Sequence, residues 1–324
     1  MDEPGETPRV SVVVATRDRP GRLRRLLDSL REQAVHEFEV IVVDDGSVRG
    51  TAELVRRETE GETDPPLRFR GVRREVAGGP SAARNDGWTL ASAPLVAFVD
   101  DDCVATPGWL AALLAEAEAQ PGAVVQGRVL PDPREAGKLG PYSRSLWVER
   151  PGPYYQAANI LYPRELLERL RGFDAEAFPY VGEDTDLAWR AKAAGARIAW
   201  APDALVHHAV KPLGPLGALR IAARWTPSIR LFARHRELRA EHLTYGLFWK
   251  GSHYLLVRAL LALALRHRAR WLALWLGAPY ARHLLRRGAE EGGGPRAAPF
   301  YALYDLVELV AVARGAVRYR TPVL

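Results

Sequence analysis

Three consecutive carboxylates, Asp100, Asp101 and Asp102, follow an apolar run in the stretch PLVAFVDDDC. Like charges this close repel, so each needs solvent, a partner or a cation. A divalent cation would bridge such oxygens to a diphosphate, which carboxylates cannot hold directly because both are anionic. The competing reading is a solvated loop leading to Thr106, which would N-cap a helix opened by Pro107. A second apolar run ends the same way, in VIVVDDGS, with Asp44 and Asp45. There a carboxylate can accept the imide N–H of a uracil or thymine, or ribose hydroxyls. An Asp-Gly turn after a strand is the plain alternative.

Two further groups carry chemistry. GEDTDLAWR holds Glu183, Asp184 and Asp186. Acidic residues at a helix start complement its dipole, which is the role expected of Asp186. One of the other carboxylates can instead act as general base on an incoming hydroxyl, given hydrogen-bond reach. LVHH ends in His207 and His208, which point to opposite faces if the segment is a strand. A neutral imidazole suits a transition-type divalent ion beside Asp oxygens, and a surface histidine is the alternative. Cys103 is the only cysteine, which excludes an internal disulfide framework and a Cys-rich zinc site.

These groups need elements that position them. Arg9–Thr16, Phe38–Ser47 and Pro94–Asp102 read as buried strands. Arg19–Gln33 reads as a helix with Leu23, Leu26, Leu27 and Leu30 on one face. Thr51–Thr59 and Pro80–Ala91 also read as helices, Glu60–Pro66 as a loop, and the acidic MDEPGETPR as a frayed tail rather than a signal peptide. This alternation predicts a mostly parallel sheet with helices on both faces. In such a sheet ligands collect at the carboxyl ends of strands, so both acidic clusters fall on one rim. Ala123–Leu130 reads as a further strand. Asn159–His208 then reads as strand, helix, loop, a helix closed by Gly195, and a strand into the two histidines.

VSVVVATRDRP, VIVVDDGS, ARNDGW, FVDDD, GFD, GEDTDLAWR and VHH, in this order over about residues 9–208, resemble a family-2 glycosyltransferase. The resemblance implies a GT-A (Rossmann-like) fold. It implies inverting transfer from a nucleoside diphosphate sugar, UDP- or dTDP-type favoured, to a hydroxyl acceptor, with Mg or Mn. It puts Thr16 and Arg17 at the nucleotide-facing end of the first strand, and Asp45 with Asp44 at the base or ribose. Arg84 falls near the donor. Asp100 and Asp102 fall on ribose and metal, and His208 on metal or diphosphate. Asp101 belongs with the donor-binding residues, on the opposite side of an extended backbone. Asp184 takes the place of the general base, and Glu183 orients it or the acceptor. Two departures stand out: ATRDR replaces the common Pro-Thr-Tyr-Asn, and RGFD replaces Gly-Gly-Phe-Asp. A sugar-phosphate nucleotidyltransferase would show a Gly-rich, basic loop after the first strand, which ATRDRPGRL lacks. A non-catalytic nucleotide-sugar-binding protein of the same fold remains an alternative. No G-x-G-x-x-G follows a strand, which disfavours a dinucleotide oxidoreductase.

The chain has 324 residues and a net charge of +6, long enough for one large domain or two. The reading divides it into a catalytic domain, 1–210, and a basic helical C-terminal region, 211–324. From Lys211 on there are 19 Lys and Arg against 6 Asp and Glu, or +13, which leaves 6 − 13 = −7 before it. Acceptor choice is expected in Pro131–Tyr155 and the C-terminal helices. Aromatics, leucines and arginines over Phe248–Arg287 fit helices lying in an anionic membrane interface. Packing or a homodimer is the alternative, and no nucleic-acid module is present. The longest uncharged run within Phe248–Arg287, Trp271–Ala281, is well short of the roughly 20 residues that span a bilayer. The expected location is cytoplasmic, or peripheral at the inner face of the cell membrane.

Overall fold

Valine-rich runs without polar alternation make strands covered on both faces. The computed structural model, which describes residues 8–61 and 67–324, follows this rule. The chain runs β1 (Val10–Thr16), α1 (Pro20–Arg31), β2 (Phe38–Asp44), α2 (Thr51–Thr59), β3 (Phe69–Arg73) and α3 (Pro80–Thr89). It continues through β4 (Leu95–Val99), β5 (Cys103–Ala105), α4 (Trp109–Ala119), β6 (Val124–Pro131) and the two-residue β7 (Ser143–Arg144). β8 (Asn159–Pro163), α5 (Arg164–Leu170), α6 (Glu183–Ala193) and β9 (Ile198–His208) follow. Residues 1–7 of the expected tail and 62–66 of the expected loop lie outside the described residues.

The described residues of 8–133, together with 145–209, form one compact unit. Its eight-stranded sheet has the order β3-β2-β1-β4-β8-β6-β9-β5. β1, β2, β3 and β4 run parallel, whereas β8 is antiparallel to both β4 and β6. Two reversals restore the direction, and β9 pairs parallel with β6. The carboxyl ends of β1, β2, β4 and β9 therefore reach the same rim. Strand alternation splits the core. Val10, Val12 and Val14 pack with the α1 leucines and Trp109 of α4 on one face. Val13, Ile41 and Phe98 pack with Trp88 of α3, Leu166 of α5 and Leu187 of α6 on the other.

Three features differ from the sequence reading or lie outside it. β3 escapes the sequence pattern because its residues FRGVR are only half-buried at the sheet edge. The acidic triplet is not extended: the Cys103 N–H donates to the Asp100 carbonyl at 3.0 Å, closing a turn into β5. Thr106 does not cap α4. Its hydroxyl donates to the Leu205 carbonyl at 3.0 Å, and the helix starts after Gly108.

Residues 134–144 and 210–324 form the second unit. β7 pairs antiparallel with β10 (Lys211–Pro212). The rest is helical: α7 (Gly214–Ala223), α8 (Ile229–Arg234), α9 (Arg236–His242), α10 (Gly251–Leu265), α11 (Arg270–Glu290) and α12 (Ala298–Arg318). Buried polar pairs fix the last three helices against one another. Glu308 of α12 accepts Lys250 at 2.7 Å and lies 3.2 Å from His253 Nε2 of α10. Asp305 of α12 accepts the Tyr280 hydroxyl of α11 at 3.1 Å.

Candidate active site

The β4 turn and the end of β9 bring Asp100, Asp102 and His208 together. One ligand atom from each lies within 4.8 Å of the others. The antiparallel pairing of Cys103 with His208 sets this meeting, and the Ala209 N–H donates to the Asp102 carbonyl at 2.9 Å. His208 Nδ1 lies 2.9 Å from the Ala209 carbonyl, an acceptor only, so that nitrogen carries the proton. The Nε2 lone pair then faces Asp102 Oδ1 at 3.2 Å. Two electron-rich atoms at that distance call for a proton or a cation between them. Two carboxylates and an imidazole with a fixed tautomer are a donor set that fits Mg or Mn.

Asp101 plays a different part from its neighbours. It is buried, accepts the Thr16 hydroxyl at 2.8 Å and receives Arg19 Nη1 at 2.8 Å. The same Arg19 nitrogen reaches Asp102 Oδ2 at 3.1 Å. Burial raises the Asp101 pKa, and Arg19 opposes that rise. Thr16 thus joins the acidic turn. Arg17 is exposed, and its charged neighbour is Asp18 at 3.9 Å.

At the end of β2, Asp45 spends both oxygens on backbone: Gly78 N–H at 2.8 Å and Gly79 N–H at 2.9 Å. Gly79 has φ +87°, and a Cβ there would sit 2.4 Å from the Pro179 carbonyl oxygen, so this latch requires glycine. Asp44 is fully buried. One oxygen accepts the Ser47 N–H at 3.0 Å; the other has no hydrogen bond and lies 3.6 Å from Arg73.

Arg84, on α3, clamps two segments. Its guanidinium donates to Glu183 at 2.8 Å and to Asp100 at 2.8 Å. Glu183 is thereby paired with a cation, whereas Asp184 beside it accepts the Thr185 N–H at 2.7 Å and the Ala157 N–H at 3.3 Å. Burial, aggravated by the Glu183 charge, pushes the Asp184 pKa up to about 7. Asp186 points elsewhere and pairs with Arg190 at 2.7 Å. Just before Ala157, Trp147, Arg150, Tyr154 and Gln156 line a cavity of about 280 Å³.

Sequence reasoning missed three residues. Arg19 binds the acidic turn, Arg74 lies 3.2 Å from Asp45, and Asp18 accepts the N–H groups of Val48 and Arg49. The visible signal was their charge inside TRDRP and RGVRR; their partners lie far along the chain.

A mixed sheet covered by helices on both faces, with acidic strand ends on one rim, defines a GT-A fold. Residues 11–171 match the family described as Glycosyl transferase family 2, and residues 95–284 match Glycosyl transferase family group 2. The chain belongs to the family-2 glycosyltransferases. It is 32% identical over 211 residues to the pre-mycofactocin glycosyltransferase of Mycobacterium tuberculosis, covering 61% of this chain and 42% of the relative. It is 32% identical over 232 residues to the validoxylamine A glucosyltransferase of Streptomyces hygroscopicus, covering 59% and 54%. The chain thus matches about half the length of these relatives. The mannosyltransferase PcManGT from Pyrobaculum calidifontis, solved with GDP-Man and Mn2+, superposes with a TM-score of 0.59 at 22% identity, covering 98% of this chain and 88% of that one. S. aureus TarS 1–349, solved with UDP, gives a TM-score of 0.54 at 18% identity, covering 97% and 92%.

Proposed function

We propose that this enzyme transfers a sugar from a nucleoside diphosphate sugar to a hydroxyl acceptor with inversion at the anomeric carbon. The observation that carries the reading is Asp184: a half-buried carboxyl with pKa raised to about 7, held by two backbone N–H groups. A base poised near neutral pH is what abstraction of a hydroxyl proton asks for. Asp184 takes the acceptor proton as that oxygen bonds to the anomeric carbon. The bond from that carbon to the diphosphate oxygen breaks, and its electron pair leaves with the nucleoside diphosphate. Glu183, tied to Arg84, keeps Asp184 in place and discourages its ionisation below neutral pH.

Asp100, Asp102 and His208 would hold a divalent ion, Mg or Mn, which when bound offsets the charge of the leaving diphosphate. Their proximity and the His208 tautomer support this assignment. Asp44 keeps one carboxylate oxygen for the nucleoside, favouring a uracil- or thymine-type base, while Asp45 and Thr16 hold the surrounding loops. Bound GDP-Man or UDP in the structural neighbours supports a nucleotide donor. The cavity beside Ala157 offers Trp147 and Tyr154 to a ring-shaped acceptor, such as a glycan or small cyclic alcohol.

Asp184→Asn is expected to lower kcat/KM by about 10²–10⁴-fold, the usual worth of a positioned base, while donor binding by calorimetry stays intact. Near-normal turnover would overturn the base assignment.

A further inference from the structure

The α10–α11 hairpin wears apolar residues on its outside. Trp271, Leu274, Trp275 and Ala278 of α11 are exposed at positions i, i+3, i+4 and i+7, a single stripe of the helix. A stripe at that spacing normally faces a core; here the core side of α11 is Leu276 and Tyr280 instead. Leu260, Leu261 and Leu263, near the end of α10, are exposed as well. The connection between the helices is RHRA, and its Arg266 and Arg268, with Arg270 at the start of α11, are all exposed. Each indole has a cation at its face: Arg258 lies 4.8 Å from the Trp275 ring centre and Arg270 lies 5.1 Å from that of Trp271.

Charge and apolarity together select the partner. From His242 to Ala289 the chain contains eight Lys and Arg and no Asp or Glu; of the eight, Lys250 is paired with Glu308 and Arg287 with Glu291 and Asp305. A second copy meeting this face across a two-fold axis would set the basic stretch against itself. A nucleic acid would satisfy the arginines and leave Leu274 and Leu263 without apolar cover. Only a lipid surface with acidic headgroups answers both demands. Among the described residues, no helix is long and apolar enough to cross a membrane. Arg282 and Arg286 of α11 are exposed and agree with a helix lying along the surface, whereas Arg287 turns inward to Glu291 and Asp305.

We propose that the α10–α11 hairpin is a docking surface for an anionic bilayer. Trp271, Leu274 and Trp275 enter the boundary between headgroups and acyl chains, and Arg266, Arg268 and Arg270 meet lipid phosphates. This goes beyond the transfer reaction and does not depend on it.

The test is flotation of the full-length protein with phosphatidylcholine vesicles, with and without phosphatidylglycerol. Binding is expected only with phosphatidylglycerol and should weaken as salt rises. The double variant Trp271→Ser/Trp275→Ser should bind at least about tenfold more weakly, through lost interfacial burial. The triple variant Arg266→Gln/Arg268→Gln/Arg270→Gln should lose a similar factor together with most of the salt dependence. All five positions are exposed, and unchanged melting of both variants verifies the fold. Quenching of tryptophan fluorescence by brominated lipid, absent in the Trp variant, would place the stripe in the bilayer. Three outcomes overturn the proposal: no flotation with phosphatidylglycerol, equal flotation of the Trp variant, or a dimer in light scattering that the Trp variant dissolves. An oligonucleotide that binds more tightly than the vesicles, regardless of the Trp substitutions, would also do so.

Discussion

Burial and the Glu183 charge raise Asp184 from 3.8 to about 7, and one shift acts on both catalysis and stability. As the proposed base, Asp184 must be ionised, so transfer is expected to rise with pH through about 7 and then level. Stability runs the other way. Between 3.8 and about 7 the folded chain holds a proton that the unfolded chain has lost, so this group's contribution falls as pH rises through that window. Asp184→Asn should therefore raise Tm above pH 7 relative to the parent chain and leave it nearly unchanged below pH 4. A scan of Tm against pH for both proteins checks this; parallel curves would refute it. The neighbouring carboxylates divide their roles by partner. Asp102 faces His208, while Asp101 is tied to Thr16 and Arg19. The types and spacing of the acidic residues were legible in the sequence. Arg19 was not, because its contact with Asp101 spans 82 residues and no local pattern announces it.

At the level of elements, α3 couples the sheet rim to α6 through one side chain. Arg84 spans Asp100 after β4 and Glu183 at the start of α6. Removing one partner of a buried ion pair leaves its counter-charge unpaired, which costs about 3–5 kcal/mol. Arg84→Ala is thus expected to lose about 3 kcal/mol in urea unfolding. Arg84→Lys keeps the charge but lacks the fork that serves two carboxylates, and should fall between. If Arg84→Ala unfolds like the parent, the clamp has no structural weight. Valine runs made β1, β2 and β4 readable, and the leucine spacing did the same for α1. β5 was not readable, since its three residues CVA carry no periodicity and depend on the Asp100–Cys103 turn. The register shift at Gly127/Arg128 in β6 was equally silent. It rests on Asn159, whose amide donates to the Arg128 and Ala204 carbonyls at 2.8 and 2.7 Å.

Across the whole molecule, the candidate site draws on positions from Thr16 to His208, and no short segment contains it. The order of its motifs was legible; that two antiparallel steps return β9 to the rim of β4 was not. In the other unit, the sequence offered composition but no site motif. A site assembled from four distant strand ends exists only in the folded chain, so its ligands must stabilise that state. Binding at a hundredfold above Kd adds about 2.7 kcal/mol. Mn with a nucleoside diphosphate is therefore expected to raise Tm, and a chelator should reverse the rise. Asp102→Ala and His208→Ala should remove the Mn-dependent part, whereas Asp101→Ala should lower the starting Tm and keep that part. Ranking UDP and dTDP against GDP in the same assay reports the base, with the pyrimidines expected to shift Tm further. Hydrogen exchange with the ligands bound should slow at the ends of β1, β2, β4 and β9. An equal Mn-dependent shift in Asp102→Ala would mean that the ion binds elsewhere, and the metal assignment would fall with it.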